Sequence, residues 1–545
     1  MIAEEGIEEV AAYLESDDPE LRRGAMVGLI RGGGIAGILA AGQELMKAVE
    51  SPNAADRILA ADVVGEVGIA QFYQPLTTLL QDRSKDVRKM ALSASRHLDS
   101  RRLVTPVMTC ITEPSLRSEA VSALISIGDD AAGIVSAEFE LAQQRSDQGV
   151  ATRLLYVLGR INSESARQRL LDIQERCRPR LRAAAASALL HQGYQADEPD
   201  LESVRLWIHE EANLIAWNLA VAEDLGDAEE TTLLVRALHQ DIDLRRETLV
   251  YLLALIYPSK IILRTRAQIA HRSADRRALA VELLDNTLNG QDKQILLSLV
   301  DTDDRSIQAS RLRALFEQKS ASVSERMTEI LASPEAEDSH WVRCAALHSV
   351  SETRTTAAID SVRELTKSPN HQVQAMANWA VGKISGEAVE ASPGDSSAAT
   401  LNEEGRALLS PVERVIFWKG VSIFSQLPDA DLLELSDSLN EVELRPESPV
   451  IVEGELGTSM YILVSGKVRV HSGDRHFAEL GEGAVFGELA ALDPEPRSST
   501  EQTLSCFNRS AGTTTPSQTV TVAFTSSPSL GSTSKHSCPL EMEPL

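Results

Sequence analysis

Hydrophobic and polar positions follow one repeating scheme from residue 1 to about 388. A turn carries Asp or Pro, a small apolar residue and Arg follow, and then Ala, Leu and Val recur at helical spacing. "DPELRRGAMVGL" (18–29), "AADRILAADVVGEVG" (54–68), "KDVRKMALSASRHL" (85–98) and "RPRLRAAAASALLHQG" (178–193) are clear copies. Arg22, Arg57, Arg88, Arg117, Arg182, Arg245, Arg276, Arg305 and Arg343 mark them. The spacing is mostly about 30 residues, and the wider gaps fit unmarked copies such as "GVATRLLYVLGRIN" (149–162). A second amphipathic stretch follows each marked one, as in "QFYQPLTTLLQD" (71–82). Two helices per repeat cannot bury their apolar faces alone, so stacking of neighbours into an α-solenoid is expected. The repeated Asp and Arg are expected to tie one turn to the next.

The scheme breaks at "SGEAVEASPGDSSAATLNEEG" (385–405), which has no apolar periodicity and reads as a linker. Two short amphipathic helices are expected near 411–419 and 428–439. The period then becomes two in "SPVIVE", "SMYILVS", "KVRVHS" and "HFAELGE", which predicts short strands separated by glycine turns, a small β-roll or barrel.

Composition narrows the function classes. Formal net charge is -27, so binding to phosphate backbones along the whole chain is disfavoured and no nucleic-acid partner is expected. Five cysteines without a CxxC pair suggest reduced thiols and an intracellular protein. The acidic N-terminus is not a signal peptide, and "TLVYLLALIY" (248–257) is half the length of a membrane span. A cytoplasmic location is expected. "GGGIAG", with Gly32, Gly34 and Gly37 in dinucleotide-fingerprint spacing, follows a helix rather than a strand and reads as an inter-helix turn. His340 and Cys344 share a helix face, but no further metal ligand lies near them. No catalytic constellation and no metal site are expected.

The helical body resembles HEAT repeats, in the short form of phycobilisome-lyase-like proteins. "FSQLPDADLLELSDSL", "PVIVEGELGTSMYILVSGKVRVH" and "FAELGEGAVFGELAALDPEPRSS" resemble a cyclic-nucleotide-binding domain over roughly 412 to 499, with Gly454, Gly457, Gly466, Gly483 and Gly487 at the family's glycine positions. That resemblance implies that Phe486, Gly487, Glu488, Leu489, Ala490, Arg497 and Ser498 bind cyclic AMP or cyclic GMP. Arg497 would meet the cyclic phosphate with a fork of charge-assisted hydrogen bonds. Glu488 would accept from the ribose 2′-hydroxyl, Ser498 would add a hydroxyl, and Gly487 would allow close approach.

After Ser499 the resemblance stops. The chain becomes rich in Ser and Thr, with apolar alternation only in "TVTVAF" (519–524). Residues 500–545 therefore read as an irregular tail, the product of a shifted frame or of a replaced end, leaving the β-roll two strands short with open edges. The expected organisation is a solenoid over 1–388, a linker over 389–408, an incomplete binding domain over 409–499 and the tail. The function expected is non-enzymatic regulation, in which the solenoid docks a protein partner and the C-terminal domain senses a cyclic nucleotide. Two other readings follow from resemblance. The chain is similar to the soluble half of bacterial carriers of the ATP/ADP-translocase-like or major-facilitator type, which would associate it with a transporter domain and place it peripheral to the inner membrane. The repeat type is also that of bilin lyases, which would make it an enzyme.

Overall fold

The computed structural model describes residues 4–98, 100–145, 147–176, 179–269, 274–333, 339–385, 409–436, 440–444, 447–455, 459–473, 475–488, 497–503 and 520–526. The linker expected at 389–408 lies outside them. No strand falls among the described residues before Asn440.

Helix starts follow local chemistry. Asp18 accepts from Glu20 N and Pro19 opens the helix Pro19–Gly32, where a missing N–H costs nothing. Asn53 and Asp304 cap Ala54–Val67 and Arg305–Arg313 in the same way. Ser322 and Ser410 form reciprocal capping boxes with Glu325 and Glu413. The "GGGIAG" stretch is a break between Pro19–Gly32 and Gly34–Val49, as its helical context required.

The contacts divide the chain into two compact units. The first comprises Met1–Glu223 and Ile242–Lys319. In it the marked helices touch in chain order: Pro19–Gly32 against Ala54–Val67, then Lys85–Ser95, Arg117–Ile127, Gln148–Arg160 and Pro179–His191. One continuous apolar core runs from Leu14 to Phe316. Close approach depends on glycine: a methyl on Gly65 would sit 2.8 Å from Ala94 Cα, and one on Gly159 would sit 2.7 Å from Ala188 Cα.

Arginine pairs join the turns. Arg57, buried, donates to both Asp82 oxygens at 2.6 and 3.0 Å and to the Ser51 carbonyl at 2.8 Å. Arg22 meets Asp56 and Arg88 meets Glu113. Glu211, 1% exposed, lies between Arg182 at 3.1 Å and Arg245 at 3.0 Å. The regular repeat gives way to two helices of 28 residues, Glu198–Leu225 and Glu229–Ile256. No Gly or Pro interrupts either helix after Pro199, so nothing in the chain stops the helical ladder there.

The second unit comprises Asp224–Asp241 and Ser320–Leu545. Arg326, buried, anchors on Asp224 at 2.8 Å. The helices Pro411–Lys419 and Asp429–Ser436, close to their expected positions, pack against His340–Thr353. Asp429, fully buried, accepts from Arg236 at 2.8 Å and lies 3.3 Å from Lys419 Nζ.

The strands are β1 (Asn440–Leu444), β2 (Pro449–Ile451), β3 (Ser459–Ser465), β4 (Val468–Ser472), β5 (Arg475–Leu480), β6 (Val485–Phe486), β7 (Thr500–Thr503) and β8 (Val520–Ser526). They form two antiparallel four-stranded sheets, ordered β1-β8-β3-β6 and β2-β7-β4-β5. This corrects the expectation of a roll two strands short and, over 500–503 and 520–526 alone, that of an irregular tail. Both β7 and β8 lie beyond Ser499, and each is an inner strand of its sheet. The alternation in "TVTVAF" is the physical reason, because a period of two fits a pleated strand between two neighbours. Residues 504–519 and 527–545 lie outside the described ones. Ile451, Leu463, Val468 and Phe486 form the core of this module.

Two outcomes follow for the body. Gly65→Ala and Gly159→Ala are expected to destabilise it by about 1–3 kcal/mol through overpacking. Gly24→Ala, in a helix with nothing within 4 Å of the new methyl, should stabilise it by about 0.5–1 kcal/mol. Urea unfolding of the variants measures both. For Asp82, burial alone would raise the carboxyl, but the hydrogen bond from Arg57 and the N–H of Ser84 outweigh it and hold the group below its ordinary range. A depressed folded value means the stabilisation is complete above the unfolded-state carboxylate range and is lost as pH falls through the folded value. Asp82→Asn should therefore lower stability at neutral pH and flatten the acid limb of the stability curve; an unchanged acid limb contradicts the pairing.

Candidate functional site

The resemblance singled out the turn after β6 and the arginine before β7. Phe486 ends β6, is buried, and stacks on its register partner Tyr461 of β3 with ring centroids 5.5 Å apart. Its place is in the module's core, and it fixes where the following turn begins. Gly487 follows at φ 71°, in the left-handed region. A methyl there would lie 2.7 Å from Arg497 Nη1 and 3.2 Å from the Ser459 carbonyl oxygen, so the position excludes a side chain both by backbone and by space.

Arg497 is half-buried. Its backbone is clamped to the turn after β2: Gly454 N donates to the Arg497 carbonyl and Arg497 N donates to the Glu455 carbonyl, both at 2.9 Å. Glu453 N donates to Thr500 Oγ1 at 3.1 Å, which extends the clamp into β7. Held this way, the guanidinium crosses to the β3–β6 edge. Nη1 donates to the Gly487 carbonyl at 3.0 Å and Nη2 to the Ser459 carbonyl at 2.7 Å.

The arginine thus rests on two neutral acceptors. Net, such hydrogen bonds are worth about 0.5–1.5 kcal/mol each, and bonds to an ionised acceptor about twice that. A monoanionic oxygen brought to the same guanidinium would be the stronger acceptor.

Glu488 is exposed on the adjacent position and forms no ion pair with Arg497 among the described residues. Ser498 is exposed beside the arginine. The structure therefore brings Gly487 and Arg497 together and leaves Glu488 and Ser498 facing solvent near them in sequence. Leu489 and Ala490 lie outside the described residues, as does Gly457. Sequence reasoning missed Ser459 and Glu455, which act through backbone atoms, and named Gly454 only as one of the family's glycines. The only signal that bore on them was the positive-φ glycine, Gly454 at 85°.

No group of three or more His, Cys, Asp or Glu among the described residues could hold a metal ion. Cys110 and Cys344 are buried thiols that form no disulfide. No described helix is long and apolar enough to cross a membrane.

Comparison with known proteins identifies the C-terminal module. Residues 441–506 match the cyclic nucleotide-binding domain family. A cGMP-dependent protein kinase of Toxoplasma gondii is 38% identical over 84 residues, 15% of this chain and 8% of the kinase. A cyclic nucleotide-gated potassium channel of Rhizobium etli is 36% identical over 80 residues, 15% of this chain and 22% of the channel. A cAMP-dependent protein kinase type II regulatory subunit of Drosophila melanogaster is 32% identical over 116 residues, 21% of this chain and 29% of the subunit. The chain spans less than a third of the length of each of these relatives. The family match runs past Ser499 to residue 506, so β7 belongs to the matched segment.

The geometry makes Gly487 the most sensitive backbone position. Gly487→Ala is expected to displace the Arg497 side chain and destabilise the module by about 1–3 kcal/mol, the usual cost of strain at a special backbone position. Hydrogen exchange checks it: the Leu463 amide, bonded to the Ala484 carbonyl at 2.9 Å, should exchange faster in the variant. Unchanged protection there would show that the turn does not depend on glycine.

Proposed function

We propose that this chain is a non-enzymatic regulatory protein in which the C-terminal module senses a cyclic nucleotide and the helical body is a HEAT-type solenoid that docks a protein partner. The observation that carries the reading is Arg497, a half-buried guanidinium held on two carbonyls beside a glycine turn, with no carboxylate partner among the described residues. The cyclic phosphate of cyclic AMP or cyclic GMP supplies the missing anion. Glu488, Leu489, Ala490 and Ser498 complete the ligand set by resemblance, with Glu488 taking the ribose hydroxyl. The solenoid reading rests on the repeated Asp/Arg turns and on marked helices that touch in chain order. Its domain span, 1–388, and the module from 409 onward remain the organisation proposed.

A ligand acts only through different affinities for two states of the protein. Within the second unit the route from the module is short. The helices preceding the strands are tied to the helical layer by Asp429 with Arg236, and by Gln372 Nε2, which donates to the Leu433 carbonyl at 2.9 Å. A shift of the Asp429–Ser436 helix on binding would load these contacts directly.

Calorimetric titration of the full chain with cyclic AMP and with cyclic GMP tests the reading. At least one should bind. Arg497→Leu leaves the phosphate charge without its partner, which typically costs about 2–5 kcal/mol. That corresponds to a loss of roughly 30- to 4,000-fold in affinity. Glu488→Gln should cost less, because the amide oxygen still accepts from a hydroxyl. Equal affinity in the wild type and Arg497→Leu, or no binding of either nucleotide, overturns the proposal.

A further inference from the structure

The arginine ladder of the helical body has a rung that is wired differently from the paired ones. Arg22, Arg57, Arg88, Arg182, Arg245 and Arg305 each meet a carboxylate within 3.1 Å. Arg117, at the start of Arg117–Ile127, meets none. Neither it nor Arg153 makes a hydrogen bond or ion pair among the described residues, and Arg117 Nε is buried. The helix that carries Arg153, Gln148–Arg160, packs beside Arg117–Ile127.

The carboxylates that could have served are committed elsewhere. Glu113 holds Arg88, and Glu119 faces Lys89 at 3.5 Å. Asp147 occupies the turn before Gln148–Arg160, as Asp82 and Glu113 do before the marked helices that follow them, but its Oδ1 caps its own helix at Val150 N, 2.9 Å away. A methyl on Gly149 would lie 3.1 Å from Arg153 Nη2 and 3.6 Å from Asp147 Oδ1, so arginine and aspartate flank one point without closing into an ion pair. Two guanidinium groups on adjacent helices thus stand without a carboxylate partner among the described residues, in a strongly acidic protein. Burial pushes the Arg153 guanidinium down, and the charge of Arg117 adds to this against the pull of Asp147. Both pressures are those that a bound anion relieves.

We propose that Arg117 and Arg153 form an oxyanion-binding site on the helical body, taking a carboxylate or phosphoryl group where the other rungs hold an internal carboxylate. Paired guanidinium forks suit the planar or tetrahedral oxygens of such groups better than a halide. The site is remote in sequence from Arg497 and its occupancy does not depend on the cyclic nucleotide.

Thermal unfolding of the full chain tests this, with inorganic phosphate and acetate each compared with chloride at equal ionic strength and pH. At ten times its dissociation constant, a bound anion should raise Tm by about 2–4 °C. The shift should persist in Arg497→Leu and vanish in Arg117→Gln and in Arg153→Gln, which separates this site from the nucleotide pocket. A larger response to phosphate marks a phosphoryl source, and matched responses mark a carboxylate. Arg153→Glu gives the rung an internal partner, so in chloride it should unfold no earlier than the wild type and should not respond to phosphate. Absence of an anion-specific shift in the wild type, or an equal shift in the arginine variants, overturns the proposal.

Discussion

A guanidinium withdrawn from water must find acceptors for its donors, and this single constraint organises both units. Arg57 meets it with a forked carboxylate and two turn carbonyls, and Arg182 and Arg245 meet it by sharing the fully enclosed Glu211. Each solution fixes a turn of the chain against one about 25 to 35 residues away. Core residues such as Leu92 and Val107 give the body its apolar drive, but they do not set register. The arginine pairs do, because a displaced turn would leave a buried charge alone, at a typical cost of about 3–5 kcal/mol.

Arg497 answers the same constraint with backbone carbonyls. That choice changes what the residue can do. A carboxylate partner would compete with an incoming anion and make exchange costly, whereas two carbonyls satisfy the guanidinium only modestly and can be given up. Gly487 and the Gly454–Glu455 clamp keep the side chain in that position without neutralising it. The fold therefore holds a half-buried positive charge between the β3–β6 edge and the turn after β2, in the same unit as the helices anchored by Asp429.

The pattern of apolar positions was enough to place the helices, because marker arginines, caps and prolines act locally and are written in the residues concerned. The change to a period of two placed β2 to β5 for the same reason, while the two-residue β6 is too short to show a period. The long helices 198–225 and 229–256 were not legible as single elements, since a missing break is a weaker signal than a present one. Nor was the role of the tail: β8 is specified by seven residues of modest alternation whose partners, β1 and β3, lie more than 50 residues away. At the site, Arg497 and Gly487 were legible because their chemistry is in the side chain and in its absence. Ser459 was not, since any residue offers the same carbonyl.

The account rests most directly on the exchange of partners at Arg497. A crystal structure of the chain soaked or grown with the cyclic nucleotide that binds would decide it. The account predicts the cyclic phosphate on the Arg497 guanidinium, with at least one of its bonds to the Gly487 and Ser459 carbonyls broken, and Gly487 still at positive φ. A nucleotide bound elsewhere, or bound here with Arg497 unmoved on both carbonyls, would contradict it.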